Sequence, residues 1–287
     1  MTVIISNFNE ILEHIMFQRL VFSTLLIASF IQMEAQTVVS DPRKSSFWTK
    51  PKQLGFSLGF GGIMQTGTLI TDACDCSFEQ GGGMSSAFGI TFENELMSHV
   101  VWGIAGEYRY VTMDSRYQEL ELLKDQQTSS GALVTMEVPF RHNAEYTSSM
   151  IGILPYIKVF PFDTRVFTRF GLNIGYLAST SLVHTKELLQ NSAVLPTGET
   201  VEFTLDSSDP RVNGNVATIQ SGELTQANSL FLGGHVGLGL EFKAGKRMIF
   251  GPTMLYIIPF TGLSSYPGSD FSLNNLQVAA EVRIVLD

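Results

Sequence analysis

Basic residues are scarce in this chain. Its 287 positions hold 18 lysines and arginines against 27 aspartates and glutamates, a formal net charge of −9. Proteins that bind nucleic acid need a basic surface to neutralise phosphates, and an acidic balance of this size argues against one. We therefore expect no nucleic-acid partner.

Long apolar runs are missing as well. A membrane-spanning helix needs roughly 20 consecutive apolar residues, and the apolar run Leu20–Phe30 is too short for that. Because a basic residue precedes this run, it predicts a cleaved export signal rather than an anchor helix. We place the signal at 1–35, with Met16 as an alternative start, and a short periplasmic leader at 36–52.

Cysteine occurs twice, in the segment Asp72-Ala73-Cys74-Asp75-Cys76. An exported chain can form a disulfide, although a bridge at this spacing closes a very small ring. The alternative is an acidic metal site, which would use Asp72, Cys74, Asp75, Cys76 and Glu79. That set lacks the histidine or second cysteine pair of a zinc signature, so we predict no metal and no cofactor. The spacing leaves the redox state of the two cysteines undecided.

Signatures of catalysis are also absent. The sequence has no Gly-x-Ser-x-Gly elbow, paired-aspartate motif or phosphate-binding loop. After the predicted signal, the histidines are His99, His142, His184 and His235. We expect His142 and His184 to be solvated in long connections, and we predict that the protein is not an enzyme.

What the chain does have is alternation between apolar residues and small or polar ones. Leu54-Gly55-Phe56-Ser57-Leu58-Gly59-Phe60-Gly61 is the clearest example. A period of two is that of a β-strand with one apolar face. The pattern predicts eight strands, at 53–65, 82–94, 98–113, 148–161, 165–180, 229–243, 247–261 and 274–287.

The connections between these strands alternate in length. Three are short turns, at 95–97, 162–164 and 244–246, and four are long, at 66–81, 114–147, 181–228 and 262–273. Short periplasmic turns and long external loops are typical of bacterial outer-membrane barrels. We therefore predict an all-β fold, an eight-stranded antiparallel transmembrane β-barrel over 53–287, in the outer membrane with both termini periplasmic.

Two alternatives stay open at this point. A soluble lipocalin-like barrel would turn its apolar faces inward, whereas here charged residues share the face opposite the large apolar ones. Connection 114–147 is either a hairpin that extends two strands above the membrane or an exposed edge that docks a partner.

Charged residues occupy the predicted inward faces. An eight-stranded lumen has room only for side chains, and a lone buried ion is very costly, so these charges must pair. We predict a lumen charge network that seals the barrel, and the alternative is a narrow pore. The network residues are Glu93, Glu107, Arg109, Lys158, Arg169, Glu241, Glu281 and Arg283.

Three strand segments and the Ala35-Gln36 junction carry a family resemblance. The segments are Gly55–Gly62, Ile153–Lys158 and Gly237–Phe242. With these, the chain resembles the outer-membrane β-barrel family common in Bacteroidota, which includes PorT-like proteins linked to protein secretion. The resemblance implies a small barrel with external loops and supplies no functional residue.

The predicted function is therefore that of an outer-membrane binding or scaffold protein acting through its external loops. Outer-membrane lipids would surround it, and its protein partners would belong to secretion or envelope assembly. A small pore for ions or solutes is the alternative function.

Overall fold

The computed structural model describes residues 52–74, 76–97, 99–127, 133–161, 164–195, 198–202, 204–205, 208–245 and 247–286. The predicted signal at 1–35, nearly all of the predicted leader and Asp75 lie outside these residues. No helix among the described residues is long and apolar enough to cross a membrane.

Eight antiparallel strands form the body of the fold, and we label them β1 to β8 in chain order. They are β1 (Gln53–Thr66), β2 (Gly81–Met97), β3 (Val100–Gln127), β4 (Leu133–Val159), β5 (Val166–Leu188), β6 (Leu230–Leu240), β7 (Met248–Pro259) and β8 (Ser272–Val285).

Each of the eight strands pairs with its neighbours in sequence, and β8 also pairs with β1. Gln53 lies opposite Val285 and Thr66 opposite Ser272, so this closing pair is in register along its whole length. The sheet is therefore a closed eight-stranded barrel, and the predicted fold class is confirmed.

The outward face of the barrel is apolar. On β1 the outward side chains Leu54, Phe56, Leu58, Phe60 and Met64 are between 42% and 65% exposed. The neighbouring strands continue this surface through residues such as Trp102, Phe170 and Val278. We call this surface the apolar belt. At about 3.3 Å per residue and a usual strand tilt, its height on β1 is about 25 Å, the hydrocarbon thickness that a membrane barrel spans.

Glycines on the inward face make room for long side chains. A Cβ atom at Gly55 would collide with Arg283, and one at Gly103 would collide with the ring of Tyr156. The glycine-rich alternation of the sequence therefore lets bulky charged and aromatic residues fit inside a narrow barrel.

Strands β3, β4 and β5 are longer than predicted and extend beyond the belt. In the connection predicted at 114–147, the described residues 114–127 and 133–147 pair as the two arms of a hairpin, with Asp114 opposite Glu145 and Leu122 opposite Glu137. This connection therefore matches the hairpin alternative. The prediction of a long loop over 181–228 is wrong at its start, because residues 181–188 belong to β5 and bury Leu182 and Leu188.

The connection after β5 also contains strands. Val216–Gly222 pairs with β5, and Val212–Asn213 pairs with Val216–Gly222. We call residues 114–127 of β3, 133–145 of β4, 181–188 of β5 and Val216–Gly222 the protruding sheet. Two small hairpins lie in the connections, Leu69–Thr71 with Cys76–Phe78 and Ser192–Val194 with Thr200–Glu202.

Candidate functional site

Six of the eight predicted network residues meet at the end of the barrel where the short turns lie. They are Glu93, Lys158, Arg169, Glu241, Glu281 and Arg283, with side chains at most 3% exposed. These three acids and three bases cancel in formal charge. We call this set the turn-end network.

Arg283 lies at the centre of the turn-end network. Its guanidinium group contacts Glu93, lies 2.6 Å from Glu241 Oε1 and donates to Gln53 Oε1 at 2.9 Å. Lys158 Nζ lies 2.5 Å from Glu93 Oε1 and 3.0 Å from Glu281 Oε2. Because these residues come from β1, β2, β4, β8 and the residue that follows β6, the charges tie opposite walls of the barrel together.

Arg169 connects the turn-end network to a second layer of buried side chains. Arg169 Nη1 lies 2.8 Å from Glu281 Oε1, and its guanidinium group lies over the ring of Tyr156 at 3.6 Å. Arg169 also donates through Nε to His235 Nε2 at 3.1 Å, and His235 Nδ1 lies 2.7 Å from Asn173 Oδ1. When each buried charge has several partners, their interactions offset the free-energy cost of removing the charges from water.

Glu107 and Arg109 do not join the turn-end network. They form an ion pair with each other nearer the middle of the barrel, with side chains 9% and 5% exposed. A cavity beside this pair has room for about one water molecule. Beside this ion pair, side chains therefore leave space for little more than one water molecule.

The other end of the lumen is apolar, which the sequence reasoning did not foresee. Tyr146 and Phe271 meet edge to face there, with ring centroids 5.2 Å apart, and both are fully buried. The buried members of this loop-end plug are Ile63, Leu69, Phe78, Val111, Met113, Ala144, Tyr146, Leu177, Leu182, Leu224, Phe231, Ile257, Leu263, Phe271 and Leu273. Side chains from the connections thus close the barrel opposite the turn-end network.

A further group of polar side chains lies above this plug, against the inner face of the protruding sheet. Cys74 and Cys76 are joined by a disulfide in the first long connection. His184 Nδ1 lies 3.8 Å from Cys74 Sγ, and His142 Nδ1 lies 4.0 Å from Cys76 Sγ. We call Cys74, Cys76, His142 and His184 the His–Cys cluster.

The two histidines continue into a chain of polar contacts. His142 Nδ1 and His184 Nε2 are 2.9 Å apart. His142 Nε2 lies 3.6 Å from Glu121 Oε1, and Lys186 Nζ lies 2.5 Å from the same oxygen. The ring of Tyr117 stacks on His142 with a centroid distance of 4.7 Å, which fixes the imidazole plane.

Burial favours the neutral form of both imidazoles. Burial, aided by His142 and Lys186, lowers the pKa of His184 to about 4. Burial and the Lys186 ammonium also lower the pKa of His142. Neutral imidazole is the form that binds metal ions.

The expectation that His142 and His184 are solvated is wrong. The two residues are 3% and 0% exposed, because the alternation of β4 and β5 continues beyond the belt and turns them inward. Cys74 and His184 are 110 positions apart in sequence, so no local motif could have shown their contact. Leu182 and His184 are buried while Val183 and Thr185 are half-buried, but these four residue types do not alternate between apolar and polar, so the sequence held no local signal of this burial.

No protein family matches the chain, and no curated protein matches it. The resemblance to PorT-like proteins therefore stays a prediction.

Solved structures do match, at low similarity. Neisserial surface protein A is 10% identical with a TM-score of 0.29, over 81% of this chain and 97% of that one. Ail of Yersinia pestis is 11% identical with a TM-score of 0.28, over 82% and 99%. The outer-membrane protease OmpT of Escherichia coli is 10% identical with a TM-score of 0.25, over 86% and 100%. The chain's own closed strand pairing and apolar belt give it the fold of an outer-membrane β-barrel.

Proposed function

We propose that the chain is a bacterial outer-membrane protein whose barrel is a sealed anchor and whose protruding sheet binds other envelope or secretion proteins. The observation that carries this proposal is the contrast between two parts of the molecule, the closed barrel and the protruding sheet. Its lumen is filled from the turn-end network to the loop-end plug, while three of its strands continue beyond the belt.

The apolar belt supports the membrane location. Contiguous exposed apolar surface of this extent is not kept by a soluble monomer, and lipid is the solvent that fits it. Short turns at one end and long connections at the other favour an orientation with both chain ends in the periplasm.

The free edge of β3 supports binding to proteins. Pairing between β2 and β3 ends at Gly81 and Ser115, and in the part of the chain that the structure describes no strand pairs with this edge from 116 to 127. Unpaired edges recruit strands from other chains. Leu120 and Leu122 are exposed on this same stretch, 62% and 61% respectively. A partner strand laid along the edge would cover both its backbone and these two side chains.

A photo-crosslinking residue at position 120 tests this function in intact cells. We expect Leu120 replaced in this way to give a discrete protein adduct, identified by mass spectrometry. The matched control is the same replacement at Phe60, which is 65% exposed but lies in the belt, and which we expect to label lipid. Absence of a protein adduct from positions 120 and 122, in cells where both variants are folded, would contradict a binding role for this edge.

A further inference from the structure

The His–Cys cluster has the dimensions of a metal site. One ligand atom from each of Cys74, Cys76 and His184 lies within 4.8 Å of the others. Zinc bonds of about 2.3 Å to sulfur and 2.0–2.1 Å to nitrogen place sulfur and nitrogen about 3.6 Å apart in a tetrahedron. The distance from Cys74 Sγ to His184 Nδ1 is 3.8 Å, already close to that value.

The partners of His184 have the arrangement of an outer coordination shell. A histidine that binds zinc through one nitrogen donates from the other to an acceptor, which fixes its tautomer. With Nδ1 on a metal, His184 Nε2 would donate to His142 Nδ1 at the observed 2.9 Å. His142 Nε2 would then carry its proton towards Glu121 Oε1, 3.6 Å away.

The buried His142 Nε2 atom also points to this assignment. It makes no hydrogen bond in the structure, although His142 is 3% exposed. Buried polar atoms without partners are uncommon and need a reason. Metal binding at His184 would polarise the pair of imidazoles and strengthen the contact between His142 and Glu121.

A metal between Glu119, Glu121 and His142 is less favoured, although their ligand atoms are also close together. The Lys186 ammonium group lies 2.5 Å from one oxygen of Glu121 and 2.6 Å from the other. The positive charge of Lys186 would repel a metal cation placed there. Lys186 instead holds Glu121 at the end of the chain of polar contacts that begins at His184.

We propose that the chain, once its Cys74–Cys76 disulfide is reduced, binds one zinc ion through both sulfur atoms and His184 Nδ1. Water or a small exogenous ligand takes the fourth position, as in zinc sites with an open coordination position. His142 is a positioning residue in this site.

The disulfide makes the site dependent on a reductant. Cys74 is exposed, so a dithiol in solution has access to it. The disulfide takes two electrons and two protons from the dithiol, which itself becomes a disulfide. Zinc then displaces the two protons from the Cys74 and Cys76 thiols, since thiolate is the form that binds the metal. Exposed disulfides are the ones that exchange most readily.

Metal content of the refolded full chain tests the proposal. One sample is reduced anaerobically with a phosphine and another is left oxidised, and both are desalted after incubation with zinc. We expect one zinc per chain in the reduced sample and none in the oxidised one. Cobalt in place of zinc should give the absorption of a tetrahedral cobalt–thiolate centre. If the reduced wild-type chain held no zinc, or if the reduced and oxidised samples held equal amounts of zinc, the proposal would be overturned.

Variants separate the roles of the residues. We expect Cys74→Ser to abolish binding and His142→Gln to weaken zinc affinity roughly 10- to 100-fold, as loss of an outer-shell partner does. His99→Asn is the matched control, because His99 lies in a turn with a positive φ that asparagine also accepts. Gel mobility with and without heating shows that each variant is folded. Zinc retained by a folded Cys74→Ser variant would assign the metal to another site.

Discussion

Replacing Arg283 by methionine is expected to cost the barrel about 3–5 kcal/mol of unfolding free energy, the usual result of breaking a buried ion pair. Arg283 is fully buried and contacts Glu93 and Glu241. Methionine fills much of the same volume but leaves the network with three carboxylates and two bases. Unfolding in urea, measured in lipid vesicles, gives the free energy directly.

Two further variants make this result specific. Arg141→Ala removes a pair with Glu187 whose side chains are 40% and 41% exposed, and it should cost only about 0–1 kcal/mol. Adding Glu241→Gln to Arg283→Met restores charge balance and should recover part of the loss. A single variant as stable as the wild type would mean that the turn-end network does not hold the barrel together.

An arginine in the belt is expected to destabilise the protein, whereas an arginine on the protruding sheet is not. Leu58 lies in the middle of the outward residues of β1 and is 56% exposed, while Leu122 is 61% exposed. Arginine near the bilayer midplane costs a barrel about 2–4 kcal/mol. We therefore expect Leu58→Arg to lower the unfolding free energy in vesicles by that amount.

Leu122→Arg is the matched control, with the same substitution at nearly the same exposure. Because Leu122 would face water, we expect its unfolding free energy to stay within about 0.5 kcal/mol of the wild type. If both substitutions lowered the unfolding free energy equally, the claim that the protruding sheet lies outside the membrane would be contradicted. If neither lowered it, the claim that the apolar belt faces lipid would be contradicted.

The barrel was predictable because its signal is local. Period-two alternation marks a strand wherever one face is apolar, and the short turns set the order of neighbours. The strand from Gln53 is an example, since its alternating glycines and large apolar residues correspond directly to the inward and outward faces. The inward charges at Glu93, Lys158 and Arg283 followed from the same alternation.

The protruding sheet was harder to predict because its outer face is mainly polar. Beyond the belt, outward residues such as Asp114 and Arg116 face water, so the contrast that marks a membrane strand weakens. The apolar plug was missed for a related reason. Phe78, Leu224 and Phe271 lie in the connections between the barrel strands, and their burial depends on how those connections fold back over the barrel.

The His–Cys cluster depends on tertiary structure alone. Its residues come from the first long connection, from β4 and from β5, and strand register beyond the belt decides which way the histidines face. A two-cysteine segment without a local histidine gave no reason to search near position 184. Only the paired strands bring the imidazoles to the sulfur atoms.

Conductance in a planar bilayer tests the sealed barrel most directly. The refolded full chain is inserted at known density, with gel mobility before and after heating as the folding control. We expect no steady single-channel current, because the turn-end network and the loop-end plug fill the lumen at both ends. A steady current from the folded protein that changes when Lys158 is replaced would contradict the sealed lumen and make the pore the leading function.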